Sequence, residues 1–88
     1  MNYLKGVFWE YPQFTKEEYV SQTLERARRQ KDLELYRWMM RKFLEYGRVV
    51  DTLSFFSIDE IAEHLRELRL SPYTRKKWQR LVEVYSAS

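Results

Sequence analysis

His64 is the only imidazole of the chain, so it is the first residue to consider for catalysis or metal binding. Glu60 lies one helical turn before it, but a metal ion needs three or four converging ligands, and this spacing matches neither H-E-x-x-H nor E-x-x-H. The sequence has no Cys and no G-x-S-x-G motif, which excludes a thiol nucleophile and a serine elbow. We therefore interpret Glu60 and His64 as a solvated pair on one helix face. We predict no catalytic residue, no metal site, no cofactor and no enzymatic activity.

The composition of the 88 residues favours a single small helical domain. Only two Gly and two Pro interrupt a sequence in which Leu, Glu, Arg and Lys, all good helix formers, recur throughout. Two isolated glycines also exclude a glycine-rich loop that cradles phosphates. The lack of Cys and of a long apolar run predicts a cytoplasmic protein without a membrane span.

The charge pattern changes sign abruptly near the end of the chain, although the net charge is only +3. Residues 58–68 are mainly acidic, whereas residues 69–80 contain cations and no acid. Helical spacing directs most of these cations away from the apolar stripe, which leaves them available to a phosphate. Three interpretations stay open: a solvated face, a DNA-binding helix, and a surface for an acidic protein. The candidate nucleic-acid-binding residues are Arg69, Ser71, Thr74, Arg75, Lys76, Lys77 and Arg80.

Aromatic residues make up 17% of the chain, which is generous for a domain with so little interior. Phe8, Trp9 and Tyr11 alternate with other residue types in a segment without a helical period, and aromatic side chains of this kind dominate binding hot spots. We predict these three as protein-binding residues. The alternative is that they dock on their own domain and cover a groove between helices.

Capping signals place the first two main helices. Thr15 and Glu18 have the spacing of a capping box, which predicts a helix over about 16–29. Asp32 predicts the start of a second helix, and Gly47 predicts its end.

Two further helices follow from similar signals. Ser57 with Glu60 forms a second capping-box pattern, and its apolar stripe runs through Ile58, Ile61, Ala62, Leu65 and Leu68. Ser71 is the predicted cap of the last helix, with Pro72 at its first position, and the inner face of that helix comprises Trp78, Leu81, Val82 and Tyr85.

These elements predict an all-α fold, a small bundle of four to five helices over residues 15–88. Residues 1–14 are predicted to form an extended aromatic arm, and residues 48–56 a short helix or turn packed into the core. The last two main helices suggest a helix-turn-helix-like pair with a recognition helix over 72–85, although Arg66 stands where a turn glycine is expected.

Several short motifs resemble a family of short bacterial proteins. The residues that carry the resemblance are Phe8-Trp9-Glu10, Arg37-Trp38, Tyr46-Gly47, and Arg69-Leu70-Ser71-Pro72 followed by Trp78. Members of this family are largely uncharacterised, and some are encoded beside abortive-infection nucleotidyltransferases. The resemblance implies an antitoxin-like or regulatory protein whose partner is a nucleotidyltransferase-type toxin, and it transfers no catalytic residue.

The sequence therefore predicts a non-enzymatic helical protein-interaction module, with a homodimer as a further arrangement. The alternative is a DNA-binding regulator in which Ser71 and Thr74 meet phosphates while Arg75, Lys76 and Arg80 contact the backbone or bases.

Overall fold

The computed structural model describes residues 3–86 and confirms the all-α fold. No strand occurs in this range, and none of its helices has the length and apolar character needed to cross a membrane. In chain order the elements are α1 (Leu4–Val7), a 3-10 helix (Pro12–Thr15), α2 (Glu17–Arg29), α3 (Leu33–Tyr46), α4 (Val49–Thr52), α5 (Ile58–His64) and α6 (Pro72–Ser86).

Three of the four predicted helix caps are present. The Asp32 carboxylate accepts a hydrogen bond from the Leu35 amide at 3.2 Å. Ser57 and Glu60 form a complete capping box, and the Ser71 hydroxyl accepts from the amide of Thr74 at 3.3 Å. These contacts satisfy backbone N–H groups that a helix start leaves without partners.

The fourth predicted cap, at Thr15, is wrong. Helix α2 begins at Glu17 with Lys16 as its N-cap, and the Lys16 side chain makes no capping hydrogen bond. Pro12 starts a 3-10 turn that extends through Thr15, so this residue ends one helix instead of opening the next.

Helix α3 runs through the centre of the core. Its residues Met39, Met40, Phe43 and Leu44 are fully buried, at the three- and four-residue spacing of one apolar stripe. Helices α1, α2, α4 and α6 all pack on α3. Trp78 anchors α6 there, since its indole is fully buried and its N–H donates to the Leu44 carbonyl at 3.2 Å.

The predicted extended arm contains two short helices instead, and it docks on its own domain, which is the alternative interpretation of its aromatic residues. Leu4, Val7 and Phe8 are at most 1% exposed, and they follow the i, i+3, i+4 spacing of a short amphipathic helix. The 3-10 helix then places Phe14 against the Phe8 ring, with 4.9 Å between centroids. Apolar burial orders this segment because the remaining helices leave α3 uncovered on that side.

The observed bounds and buried faces of α5 and α6 differ from the prediction near the helix ends. Helix α5 stops at His64, and residues 65–71 connect it to α6, which is longer than the roughly three- to four-residue turn of a compact helix-turn-helix. Leu65 and Leu68 are still buried, but Ala62 is exposed. Leu81 and Val82 are half-buried against the core as predicted, but Tyr85 is 51% exposed, because α6 continues past the core after Val82.

The predicted connection over 48–56 is confirmed as a short helix, α4, packed on the core. Gly47 allows this close packing. A side chain at Gly47 would lie 2.8 Å from the Phe43 carbonyl oxygen and 3.3 Å from the Thr52 hydroxyl. The φ of Gly47 is −95°, so space and not backbone conformation selects glycine here.

We predict that Gly47→Ala lowers the free energy of unfolding by about 1–3 kcal/mol, because a backbone carbonyl must move to admit the methyl group. Gly6→Ala is the matched control, since a side chain at Gly6 meets nothing within 4 Å and alanine favours the helix there. Urea denaturation of both variants checks this prediction. Equal stability of the two variants would contradict it.

Candidate protein-interaction surfaces

A buried lysine organises one end of the molecule. Lys42 is 6% exposed, and its ammonium group forms an ion pair with Glu10 at 2.9 Å. Four aromatic rings surround the ammonium, with centroids at 4.7 Å (Trp9), 5.8 Å (Tyr11), 5.9 Å (Trp38) and 5.3 Å (Tyr46). We call Glu10 and these four rings the Lys42 cage. Cation–π attraction and one carboxylate together offset the cost of removing this charge from water.

The outer wall of the Lys42 cage is an exposed aromatic pair. Trp9 is 54% exposed and Tyr46 is 44% exposed, and their rings meet edge to face with centroids 4.6 Å apart. Trp9 belongs to the amino-terminal segment and Tyr46 to the last turn of α3. We call these two residues the aromatic patch.

The three predicted protein-binding residues therefore have different positions. Phe8 is 1% exposed and packs edge to face on Phe43, so it is a core residue that a partner does not reach. Tyr11 is half-buried against Trp38, with ring centroids 5.1 Å apart. Trp9 alone of the three is exposed. Docking of the segment on its own domain thus accounts for Phe8 and most of Tyr11.

The predicted nucleic-acid-binding residues at the start of α6 are engaged by a carboxylate. Ser71 donates to Glu45 from its hydroxyl at 2.6 Å and from its amide at 3.0 Å, and the Thr74 hydroxyl donates to Glu45 at 2.9 Å. Partial burial raises the pKa of Glu45, but the hydrogen bonds from Ser71 and Thr74 and the charge of Arg41 lower it more, so the net pKa falls below its ordinary value. An ionised carboxylate therefore occupies the position that a DNA phosphate would take at this helix start.

Arg75 is also committed within the protein. Its guanidinium donates to the Leu65 carbonyl at 2.8 Å and to the Leu68 carbonyl. These bonds hold the segment between α5 and α6, and they engage both terminal nitrogens of Arg75 within the protein. Within residues 3–86, the other cations of the predicted set make no such bond to a backbone carbonyl; these are Arg69, Lys76, Lys77 and Arg80.

The predicted solvated pair of Glu60 and His64 is replaced by other contacts. Glu60 accepts from the Tyr36 hydroxyl at 2.5 Å and from Arg28 at 2.8 Å. Partial burial raises the pKa of Glu60, but its hydrogen bonds from Tyr36, from the Ser57 amide and from Arg28 outweigh it, and the net pKa is lowered. His64 instead packs on the Tyr36 ring, with centroids 5.1 Å apart.

The part of the chain that the structure describes contains no metal-binding cluster. Within residues 3–86, no group of three or more His, Asp or Glu side chains is placed to hold an ion.

Comparisons of the chain with protein-family models, with curated proteins and with solved structures find no match.

Part of the Lys42 cage is predictable from the sequence, because three of its residues are regularly spaced along α3. Trp38, Lys42 and Tyr46 are separated by four positions each, so they share one face of α3. A lysine between two aromatic residues on one helix face indicates a cation held by rings. The partner rings and Glu10 lie about thirty positions earlier, beyond the reach of any local pattern.

We predict that Lys42→Ala lowers the free energy of unfolding by about 2–4 kcal/mol, because it removes both the cation and the methylene chain packed among the rings. Lys42→Met should lose less, since its flexible side chain still fills the cage. Urea denaturation monitored by circular dichroism measures both. Lys5→Ala is the exposed control, and a loss for Lys42→Ala no larger than this control would argue against the cage.

We further predict weak, sequence-independent binding to duplex DNA. The four cations without bonds to backbone carbonyls are Arg69, Lys76, Lys77 and Arg80. They should bind a duplex at about 50 mM salt but not at about 200 mM, as expected for phosphate contacts alone. Fluorescence anisotropy with a duplex from upstream of the gene and a scrambled duplex measures this. Joint replacement of Lys76, Lys77 and Arg80 by alanine should abolish the binding.

The control replaces three exposed cations on and just before α2, Lys16, Arg26 and Arg29, by alanine. Tight binding that distinguishes the two duplexes at the higher salt concentration would support a DNA-binding regulator and contradict our prediction.

Proposed function

We propose that this protein is a non-enzymatic helical interaction module that binds a partner protein through the aromatic patch. The observation that carries the proposal is the edge-to-face contact of Trp9 and Tyr46 on a buried cation while both rings face solvent. Water-exposed aromatic rings gain little for folding, yet these two are fixed from beneath by Lys42 and Glu10.

Fixed, exposed aromatic rings are well suited to binding. Trp and Tyr are enriched among the residues that contribute most to protein interfaces, because they present a large contact area with few rotatable bonds. A side chain that is already held in place loses little conformational entropy when a partner covers it. The cage therefore prepares the patch for a partner.

The surface beside the aromatic patch is concave. A cavity of about 380 Å³ next to Tyr46 is lined by Tyr3, Tyr46, Gly47, Arg48 and Asp51. A second cavity, of about 230 Å³, lies next to Trp9 and is lined by Lys5, Phe8, Trp9, Pro12 and Thr15. Exposed aromatic rings that each line a cavity can pack against side chains of a partner that enter these cavities.

The motif resemblance suggests where to look for the partner. The resemblance implies an antitoxin-like protein, and some of the proteins that share these motifs are encoded beside a nucleotidyltransferase-type toxin. Three of the motif segments, Phe8-Trp9-Glu10, Arg37-Trp38 and Tyr46-Gly47, supply residues of the cage. This supports a binding role for the patch that the motifs build, and we propose that the toxin-type partner contacts it.

The proposal is tested by purifying the partner from the host with tagged protein and then measuring binding of the two purified proteins by calorimetry. We expect Trp9→Ala to weaken the complex by about 30-fold or more, as for a hot-spot residue. Tyr73→Ala is the control, since Tyr73 is 76% exposed and lies outside the patch, and its effect should stay within about 2-fold.

Circular dichroism and thermal unfolding of Trp9→Ala separate lost binding from lost folding. A folded Trp9→Ala variant that binds as tightly as the Tyr73→Ala variant would refute the proposal. A homodimer that forms through the aromatic patch is the remaining alternative. Analytical ultracentrifugation of the wild-type protein and of Trp9→Ala, each without a partner, tests it.

A further inference from the structure

A second concave surface of α3 borders the Lys42 cage and shares Trp38 with it. This cavity, of about 710 Å³, separates α3 from the connection between α5 and α6. Its lining combines charged and apolar residues, namely Glu34, Leu35, Arg37, Trp38, Arg41, Glu67 and Arg69. We call it the arginine groove.

Two arginines of the groove are oriented by bonds that leave their outer nitrogens available. The Nε of Arg41 donates to the Arg69 carbonyl at 2.8 Å, and the Nε of Arg37 faces the Nδ1 of His64 at 3.4 Å. A guanidinium that is held through Nε keeps two terminal NH₂ groups, which can bind a carboxylate in bidentate fashion. The side chain of Arg69 is exposed at the edge of the groove.

None of these three cations forms a close ion pair in the described part of the chain, although the charge of Arg41 acts on the nearby Glu45. Ion pairs within 4.0 Å engage Arg28, Arg29, Lys42 and Arg48, and none of the groove arginines. Three guanidinium groups that line one cavity and form no close ion pair give this surface a positive potential that attracts an anionic ligand.

The remaining lining residues indicate which anion fits. Glu34 and Glu67 share the cavity, so a ligand of uniformly high negative charge, such as a nucleic acid, meets two carboxylates as well as three arginines. Leu35 and Trp38 supply apolar surface between the charges, which a phosphate does not use. A peptide can place carboxylates and an apolar side chain at separate points.

We propose that the arginine groove binds a short acidic peptide segment of a protein. Its carboxylates pair with Arg37, Arg41 and Arg69, while an apolar side chain of the same segment packs on Leu35 and Trp38. The groove shares Trp38 with the Lys42 cage, but its arginines lie outside the cage, so Arg69→Glu tests the groove and Trp9→Ala tests the aromatic patch separately.

Selection from a random twelve-residue peptide library displayed on phage tests the proposal, because such a library samples acidic, basic and apolar sequences alike. We expect selection on the wild-type protein to enrich Asp and Glu flanking an apolar residue. Selection on Arg69→Glu should lose this consensus, and selection on Arg26→Glu should keep it. Arg69 and Arg26 are both exposed, so each variant should fold, which circular dichroism verifies.

Fluorescence anisotropy with the labelled consensus peptide then gives the affinity. We expect Arg69→Glu to weaken binding by about 10-fold or more and Arg26→Glu to change it by less than about 2-fold. Glu67→Gln should tighten binding by about 2- to 3-fold, because it removes a repelling charge, and a gain of this kind does not arise from misfolding.

Three results would overturn the proposal. These are a selection that enriches no acidic consensus, an Arg69→Glu variant that recovers the same sequences as wild type, and a duplex DNA or inorganic phosphate that displaces the peptide at concentrations below that of unlabelled peptide.

Discussion

The ammonium group of Lys42 joins the amino-terminal segment to α3, and both rings of the aromatic patch pack on it. A buried lysine without partners would be strongly destabilising, so the charge requires the rings and the carboxylate that surround it. Those groups come from two segments that are distant in sequence, Trp9 to Tyr11 and α3. One cation therefore acts as a cross-link in a chain that has no Cys.

Two carboxylates extend the same principle to the other helices. Glu45 joins the end of α3 to the start of α6, and Glu60 joins α5 to Arg28 of α2 and to Tyr36 of α3. Each ionised group is paired with donors from a different helix, so the polar contacts position the helices while apolar burial supplies the main stabilisation. The same contact that fixes α6 also engages the Ser71 and Thr74 hydroxyls, which the DNA-binding alternative assigns to phosphates.

Local sequence rules predicted the parts of this fold that local chemistry determines. The caps at Asp32, Ser57 and Ser71 lie within three residues of the amides that they accept from, so their spacing is legible in the sequence. The decisive contacts of the candidate surfaces are not local. Glu10 and Lys42 are 32 positions apart, and Glu45 and Ser71 are 26 apart. Which acid meets which base is set by how the helices pack, and composition or periodicity does not reveal it.

The three tryptophans lie at three depths of the molecule. Trp78 is fully buried in the core, Trp38 is half-buried in the Lys42 cage, and Trp9 is exposed to water. An indole emits at longer wavelengths in water than in an apolar interior, so the chain carries a separate optical reporter for its surface, its cage and its core. Single-tryptophan versions with phenylalanine at the other two positions would let one spectrum follow surface burial, opening of the cage or loss of the α3–α6 contact.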